Sequence, residues 1–193
     1  MSRGGYSLVE LLVCLALALL VCGAAAPALL AARDGVLADG ATEYLVSELH
    51  GARVDALKLR ANVAVRFESD GADFLMAIYL DGNGNGVRAA DIASGDDPLM
   101  RPRQSLHDQF ADVHFGFEPG VPDVDGGDTT ADPDPIRVGR SRMVSFSPTG
   151  TSTSGTVYLH GRGPHQLAVR VLGGTGRVRS MDFDFGARKW LPR

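Results

Sequence analysis

The sequence predicts an α+β fold in which one long N-terminal helix packs on an antiparallel β-sheet domain. Two observations predict it. Residues 11–32 form an uncharged run of 22 residues rich in Leu, Ala and Val, and apolar residues at spacings of three and four then continue to about residue 59. From residue 62 the period changes to two, in short runs separated by Gly, Pro, Asn and Asp clusters. A chain of 193 residues and 20.4 kDa holds one ordinary domain plus an apolar appendage, and has no room for two domains of normal size.

At 1.5 Å per residue the uncharged run makes a helix of roughly 33 Å, enough to cross a bilayer. It does not read as a cleaved secretory signal. Pro27 would directly follow the small-residue site Ala24-Ala25-Ala26 and obstruct the cut, and Glu10 stands near the start of the segment, where a signal peptide is neutral. A lipoprotein signal ending at Cys22 would place the bulky Val21 where a small residue belongs. Cys14 and Cys22, the only two cysteines, lie inside this run, which excludes a disulfide-stapled module and a cysteine zinc site.

Glu10 needs its own account, because an ionised carboxylate near the start of a membrane helix costs a few kcal/mol, on the order of 2.5 to 3.5 at the centre. Either it stays wet among headgroups or a positive charge neutralises it. If residues 1–5 were removed, Tyr6 would present a free amine, mostly protonated because its reference pKa is about 8. That amine lies about one turn from Glu10 in the same chain and can equally meet Glu10 of a neighbouring subunit, which favours ordered polymerisation.

Beyond the apolar run, Leu37, Ala41, Leu45, Leu49, Ala52 and Ala56 share one face, while Asp39, Glu43, Glu48, Arg53, Asp55 and Lys58 take others. One long helix over 7–59 follows, bent at Pro27 and weakened at Gly35, Gly40 and Gly51. Alternation then predicts strands over 62–69, 74–80, 112–118, 142–147, 155–160, 166–172 and 177–185. Gly150 and Gly155 read as hairpin residues.

Two stretches of sequence resemble a known family. Gly5-Tyr6-Ser7-Leu8-Val9-Glu10-Leu11-Leu12 closely resembles the leader motif of type IV pilins and of type II secretion pseudopilins. Val144 to Gly150, Ser154 to Leu159, Ala168 to Val171 and Gly176 to Arg179 are similar to the H-type minor pseudopilins of type II secretion and the related FimT minor pilins. The resemblance implies a type IV pilin-like fold and a minor pseudopilin of the type II secretion pseudopilus, taking part in protein secretion across the outer membrane. It implies cleavage by a prepilin peptidase between Gly5 and Tyr6, N-methylation of Tyr6, Glu10 as the assembly carboxylate, and Pro27 as a helix bend. The parts would be a leader over 1–5, a transmembrane and filament-core helix over 6–32, an amphipathic helix over 33–61, and a periplasmic β-rich domain over 62–193. The implied setting is the bacterial inner membrane, crossed once. Implied partners are other minor and major pseudopilins or pilins, the peptidase, the inner-membrane assembly platform, and secreted cargo or DNA. The alternative is a FimT-like minor pilin that binds DNA for uptake.

Charge is uneven. The net charge of −4 divides into 9 basic against 21 acidic residues over 1–136, and 10 against 2 over 137–193. The acidic share concentrates in residues 118–135, with six acids, four prolines and three glycines, and reads as an exposed flexible loop that buries no apolar surface. It is an insertion between strands, a partner contact, or a screen against the basic sheet. The basic share includes Arg137, Arg140, Arg142, Arg162, Arg170 and Arg193, with Arg177, Arg179, Arg188 and Lys189 as the candidate DNA-binding residues and Trp190 or Phe185 available to stack on bases. In the FimT branch a Gly-Arg-x-Arg motif, matched by Gly176 to Arg179, is associated with DNA.

Asp81, Asn83 and Asn85, with Asp91, imitate the opening of a calcium loop, yet position 12 is Ile92. A tight Asn-Gly turn explains the same residues. No cofactor and no enzymatic activity are expected: His50, His107, His114, His160 and His165 are scattered, and no nucleophile elbow or phosphate loop is present.

Overall fold

The computed structural model describes residues 7–71 and 73–193. The cleavage and methylation sites expected at Gly5 and Tyr6 lie outside the described residues. The protein is α+β, with one long apolar N-terminal helix packed on antiparallel sheets.

Helix α1 (Leu8–Leu59) runs unbroken through Pro27 and ends on Arg60, whose left-handed φ of 54° stops it. Its two halves differ completely in surroundings. Residues 8–33 are exposed throughout, whereas Ala38, Ala41, Thr42, Leu45, Leu49, Ala52 and Ala56 are fully buried, as their spacing of three and four requires. The apolar half is long enough to cross a membrane. The three glycines expected to weaken the helix leave it intact and instead admit close neighbours. A Cβ on Gly35 would come 3.2 Å from the His165 ring, one on Gly40 would come 3.0 Å from the Phe110 ring, and one on Gly51 would come 3.3 Å from the Arg101 guanidinium.

The helix lies on two sheets rather than one. The chain continues through β1 (Val63–Ser69), β2 (Phe74–Leu80), the short α2 (Ala89–Ser94), β3 (Leu99–Ser105), the single turn α3 (Leu106–Gln109), β4 (His114–Phe115) and β5 (Ile136–Arg137). It ends with β6 (Met143–Phe146), β7 (Gly155–His160), β8 (Gln166–Leu172), β9 (Arg177–Asp184) and β10 (Lys189–Pro192). The first sheet has the order β3-β2-β1-β6, and the second β10-β9-β8-β7-β4, with β5 also on β7. All pairs are antiparallel. Helix α1 touches β1 and β6 of the first sheet and β7, β8 and β9 of the second, so one helix face closes both.

The strand expected over 112–118 shrinks to two residues, and the reason is topological. Gly116 donates its N–H to the carbonyl of Tyr158, and the N–H of Tyr158 donates to the carbonyl of Pro135. The chain therefore leaves the edge of β7 and returns to it at one residue, with residues 117–134 looped out between. Three strands were absent from the sequence expectation. β3 and β10 are edge strands carrying Pro102 and Pro192, which an edge tolerates and which hide the alternation, while β5 has only two residues.

Each sheet also has a second covered face. Beyond the main core, Ala64, Ala77, Tyr79 and Met143 of the first sheet pack with Val87 and Ile92 from the 81–97 segment. On the second sheet, Tyr158, Ala168 and Phe183 are buried on the face turned away from α1, beneath the acidic segment.

Candidate functional site

Glu10 occupies the first turn of α1, and it and its neighbours are exposed within an uncovered apolar helix. Pro27 lies inside the helix in the same uncovered half. These features make an apolar helix with a carboxylate in its first turn, continuous in chain with the helix that packs on the domain.

The acidic segment is not a freely solvated loop. Val121 and Thr129 are buried, correcting the expectation that it hides no apolar surface. Thr129 donates its hydroxyl to the carbonyl of Val121 at 2.6 Å, and Asp123 accepts the N–H groups of Asp125 (2.9 Å) and Gly127 (2.6 Å). The segment rests on an aromatic patch. Phe117 and Tyr158 approach to 4.4 Å between ring centroids, Tyr158 and Trp190 to 5.8 Å, and Phe183 and Trp190 to 5.3 Å. Val124 donates its N–H to the Tyr158 hydroxyl at 3.0 Å, and burial pushes that phenol above its ordinary pKa.

This arrangement changes the expected basic groove. Arg137 pairs with Asp123, Arg142 with Asp134 at 2.7 Å and Arg170 with Asp125 at 2.9 Å, so two arginines of the second sheet and one in the turn before β6 are met by carboxylates of the acidic segment. Arg193 pairs with Asp39 at 2.8 Å and with Asp182 at 3.2 Å, tying the end of the chain to α1. Burial opposes the charge on Arg193, and these two carboxylates outweigh it, holding its pKa above the ordinary value. Arg177, Arg179, Arg188 and Lys189 are exposed and make no ion pair among the described residues. Arg179 sits directly opposite Arg170, a like-charge pair that Asp125 relieves from one side. Arg188 donates to the carbonyl of Gly120 at 3.3 Å. Trp190 is half-buried with its indole N–H on the Pro122 carbonyl, whereas Phe185 is exposed.

The motif glycines have a concrete role at Gly155. A Cβ there would lie 2.6 Å from the carbonyl oxygen of Arg137, so only glycine lets β5 close on β7.

In the Asp81 loop the carboxylate faces its own turn. It accepts N–H groups from Gly84 at 2.7 Å and Gly86 at 2.8 Å, and the Asn62 side-chain amide at 2.7 Å. Burial raises the pKa of Asp81, but these hydrogen bonds outweigh burial and hold it below the usual carboxylate range. Asn83 caps the N–H of Asn85, and Asp91 stands on α2. Asp97 closes the other side, accepting the N–H groups of Gly82 and Arg88. Among the described residues no group of three His, Cys, Asp or Glu side chains is placed to hold a metal ion.

Sequence spacing missed one cluster. His107, His114 and His160, distant in the chain, form a ladder at the seam of the two sheets, with centroids 4.6 Å and 5.9 Å apart. His114 Nδ1 lies 2.9 Å from Asp73, and His160 Nδ1 lies 3.4 Å from Glu118. The first two rings stack face to face rather than converging on a point. Only the β4–β7 register brings His114 opposite His160, and no linear motif encodes that. No family model, curated protein or solved structure matches the chain.

Proposed function

We propose that the protein is a minor pseudopilin, a membrane-anchored structural subunit of a type II secretion pseudopilus. The observation that carries this reading is Glu10 in the first turn of an uncovered apolar helix that continues without a break into a sheet domain. An apolar rod with a lone carboxylate gains by bundling with copies of itself, where a neighbour's terminal amine compensates the charge. In this reading Gly5 and Tyr6 flank the peptidase cut, Tyr6 is methylated, Pro27 loosens the filament-core helix, and the domain sits in the periplasm against sibling subunits or cargo. The test is mass spectrometry of the protein extracted from membranes. The expected chain begins at a methylated Tyr6, and an intact Met1 in cells with active prepilin peptidase overturns the reading. Deleting the gene should impair exoprotein secretion.

A second reading, a FimT-like minor pilin that takes up DNA, is favoured by Arg177, Arg179, Arg188 and Lys189 remaining exposed and, among the described residues, unmatched by carboxylates while neighbouring arginines are neutralised. Under it the same deletion impairs DNA uptake and leaves secretion intact.

A further inference from the structure

The outer side of the first sheet carries a cleft of about 700 Å³ between β1, α2 and the turn that leads into β6. Four guanidinium groups line it, from Arg66, Arg103, Arg140 and Arg142, against one carboxylate, Glu68. Alternation along β1 is the cause of part of this. Val65 and Phe67 go to the core, so Arg66 and Glu68 must point the other way.

Glu68 organises the floor. It lies 2.6 Å from Arg103 Nε and 3.6 Å from Arg66 Nε. The Tyr79 hydroxyl donates to it at 3.0 Å while accepting from Arg103 Nη2 at 3.2 Å. One carboxylate thus fixes two guanidinium groups, each with five N–H donors, and leaves the cleft with excess positive charge and donors to spare. Arg142 is steadied over the Phe74 ring at 5.3 Å. Arg140, exposed at the lip, makes no ion pair among the described residues.

We propose that this cleft binds an acidic, partly apolar peptide segment of a partner protein. Three observations select that ligand. Carboxylates already meet this arginine set from the chain itself: Glu68 pairs with Arg103, and Asp134 of the acidic segment sits on Arg142, with bonds of 3.0 Å from Nε and 2.7 Å from Nη2. One wall is apolar, built by Ala89, Ile92 and Ala93 of α2, which suits leucine-like side chains and offers nothing to bare phosphate. The only aromatic residue of the lining, Phe67, is 2% exposed, so no ring is available for a base to stack on, unlike a nucleic-acid groove. The cleft lies across the sheet from α1, and its chemistry is independent of filament assembly, so failure of one proposal does not decide the other.

The test uses the full chain in detergent micelles and a fluorescein-labelled peptide of alternating glutamate and leucine, followed by anisotropy at low salt. The expected result is saturable binding that weakens about tenfold in Arg140→Glu, survives in Arg140→Lys, and is unchanged in Arg177→Glu/Arg179→Glu. Arg140 makes no ion pair among the described residues, so an unchanged unfolding midpoint in Arg140→Glu shows that the fold is retained, and Arg66→Gln should weaken binding in the same direction. The proposal is overturned by absence of binding to the unsubstituted chain, by equal binding of a lysine-leucine peptide, or by equal loss in the Arg177/Arg179 variant. It is equally overturned if a single-stranded oligonucleotide or inorganic phosphate of matched charge displaces the peptide as well as unlabelled peptide does.

Discussion

Trp190 of β10 donates its indole N–H across 3.0 Å to the carbonyl of Pro122, joining the last strand to the first part of the acidic segment. This is the only tryptophan of the chain, so its fluorescence reports on that junction alone. Trp190→Phe keeps a ring against Tyr158 and Phe183 but removes the donor, and the expected loss is about 1 kcal/mol. Limited proteolysis should then cut within residues 118–135 sooner than in the unsubstituted chain, and an unchanged digestion pattern would contradict this tie.

Arg137 holds the same segment at the next residue. Its guanidinium pairs with Asp123 and lies over the rings of Phe117 and Tyr158, at 5.2 Å and 5.8 Å from their centroids. Arg137→Ala leaves Asp123, only 9% exposed, without its cation, and should cost about 3 kcal/mol in chemical unfolding. Restoring balance with Asp123→Asn in the same chain should recover part of that loss.

Gly82 permits a backbone contact that no other residue allows. A Cβ at this position would lie 2.0 Å from the carbonyl oxygen of Asp96, within the segment that roofs the first sheet. Gly82→Ala should therefore displace the 81–97 segment and lower stability by about 2 to 4 kcal/mol, read from the thermal midpoint. An effect below about 0.5 kcal/mol, the size of an ordinary surface change, would refute the contact.

The same segment gives the protein an acid-sensitive element. Hydrogen bonds to Asp81 hold its folded pKa below the unfolded value of about 3.9, so its contribution is complete above that value and is lost as pH falls through the folded pKa. Urea unfolding should show stability declining below about pH 4, and Asp81→Asn should be less stable at neutral pH but decline less on acidification. Parallel declines in the two proteins would show that Asp81 is not the group responsible.

Arg177 and Arg179 separate the two functional readings. If they contact DNA, duplex binding by the chain falls steeply with salt, and Arg177→Ala/Arg179→Ala reduces both affinity and salt slope. No mobility shift at low salt would remove DNA uptake through this face.

Much of this architecture is legible in the chain itself. The spacing of Leu45, Leu49, Ala52 and Ala56 places the buried stripe of α1, and the alternation of Val63, Val65 and Phe67 with Ala64, Arg66 and Glu68 marks β1, because both patterns are local consequences of backbone geometry. Edge strands escape for the opposite reason: β3 reads Leu-Met-Arg-Pro-Arg-Gln-Ser and faces solvent enough to lose its alternation. The ladder of His107, His114 and His160 and the meeting of Arg66 with Arg103 around Glu68 depend on how distant strands pair, which no short window of sequence contains. Composition did expose the opposed charges of residues 118–135 and the C-terminal half, since complementarity of that size survives averaging.

Because the looped-out segment leaves and rejoins β7 around the single residue Tyr158, its two ends are fixed side by side whatever lies between them. Strand pairing therefore sets where the excursion starts and stops, while the buried Val121 and Thr129 and the carboxylates on Arg137, Arg142 and Arg170 make its interior part of the fold. An addition between the exposed Thr130 and Ala131 would leave those contacts in place, whereas exchanging the whole segment would uncover Tyr158 and Phe183 and strand three arginines.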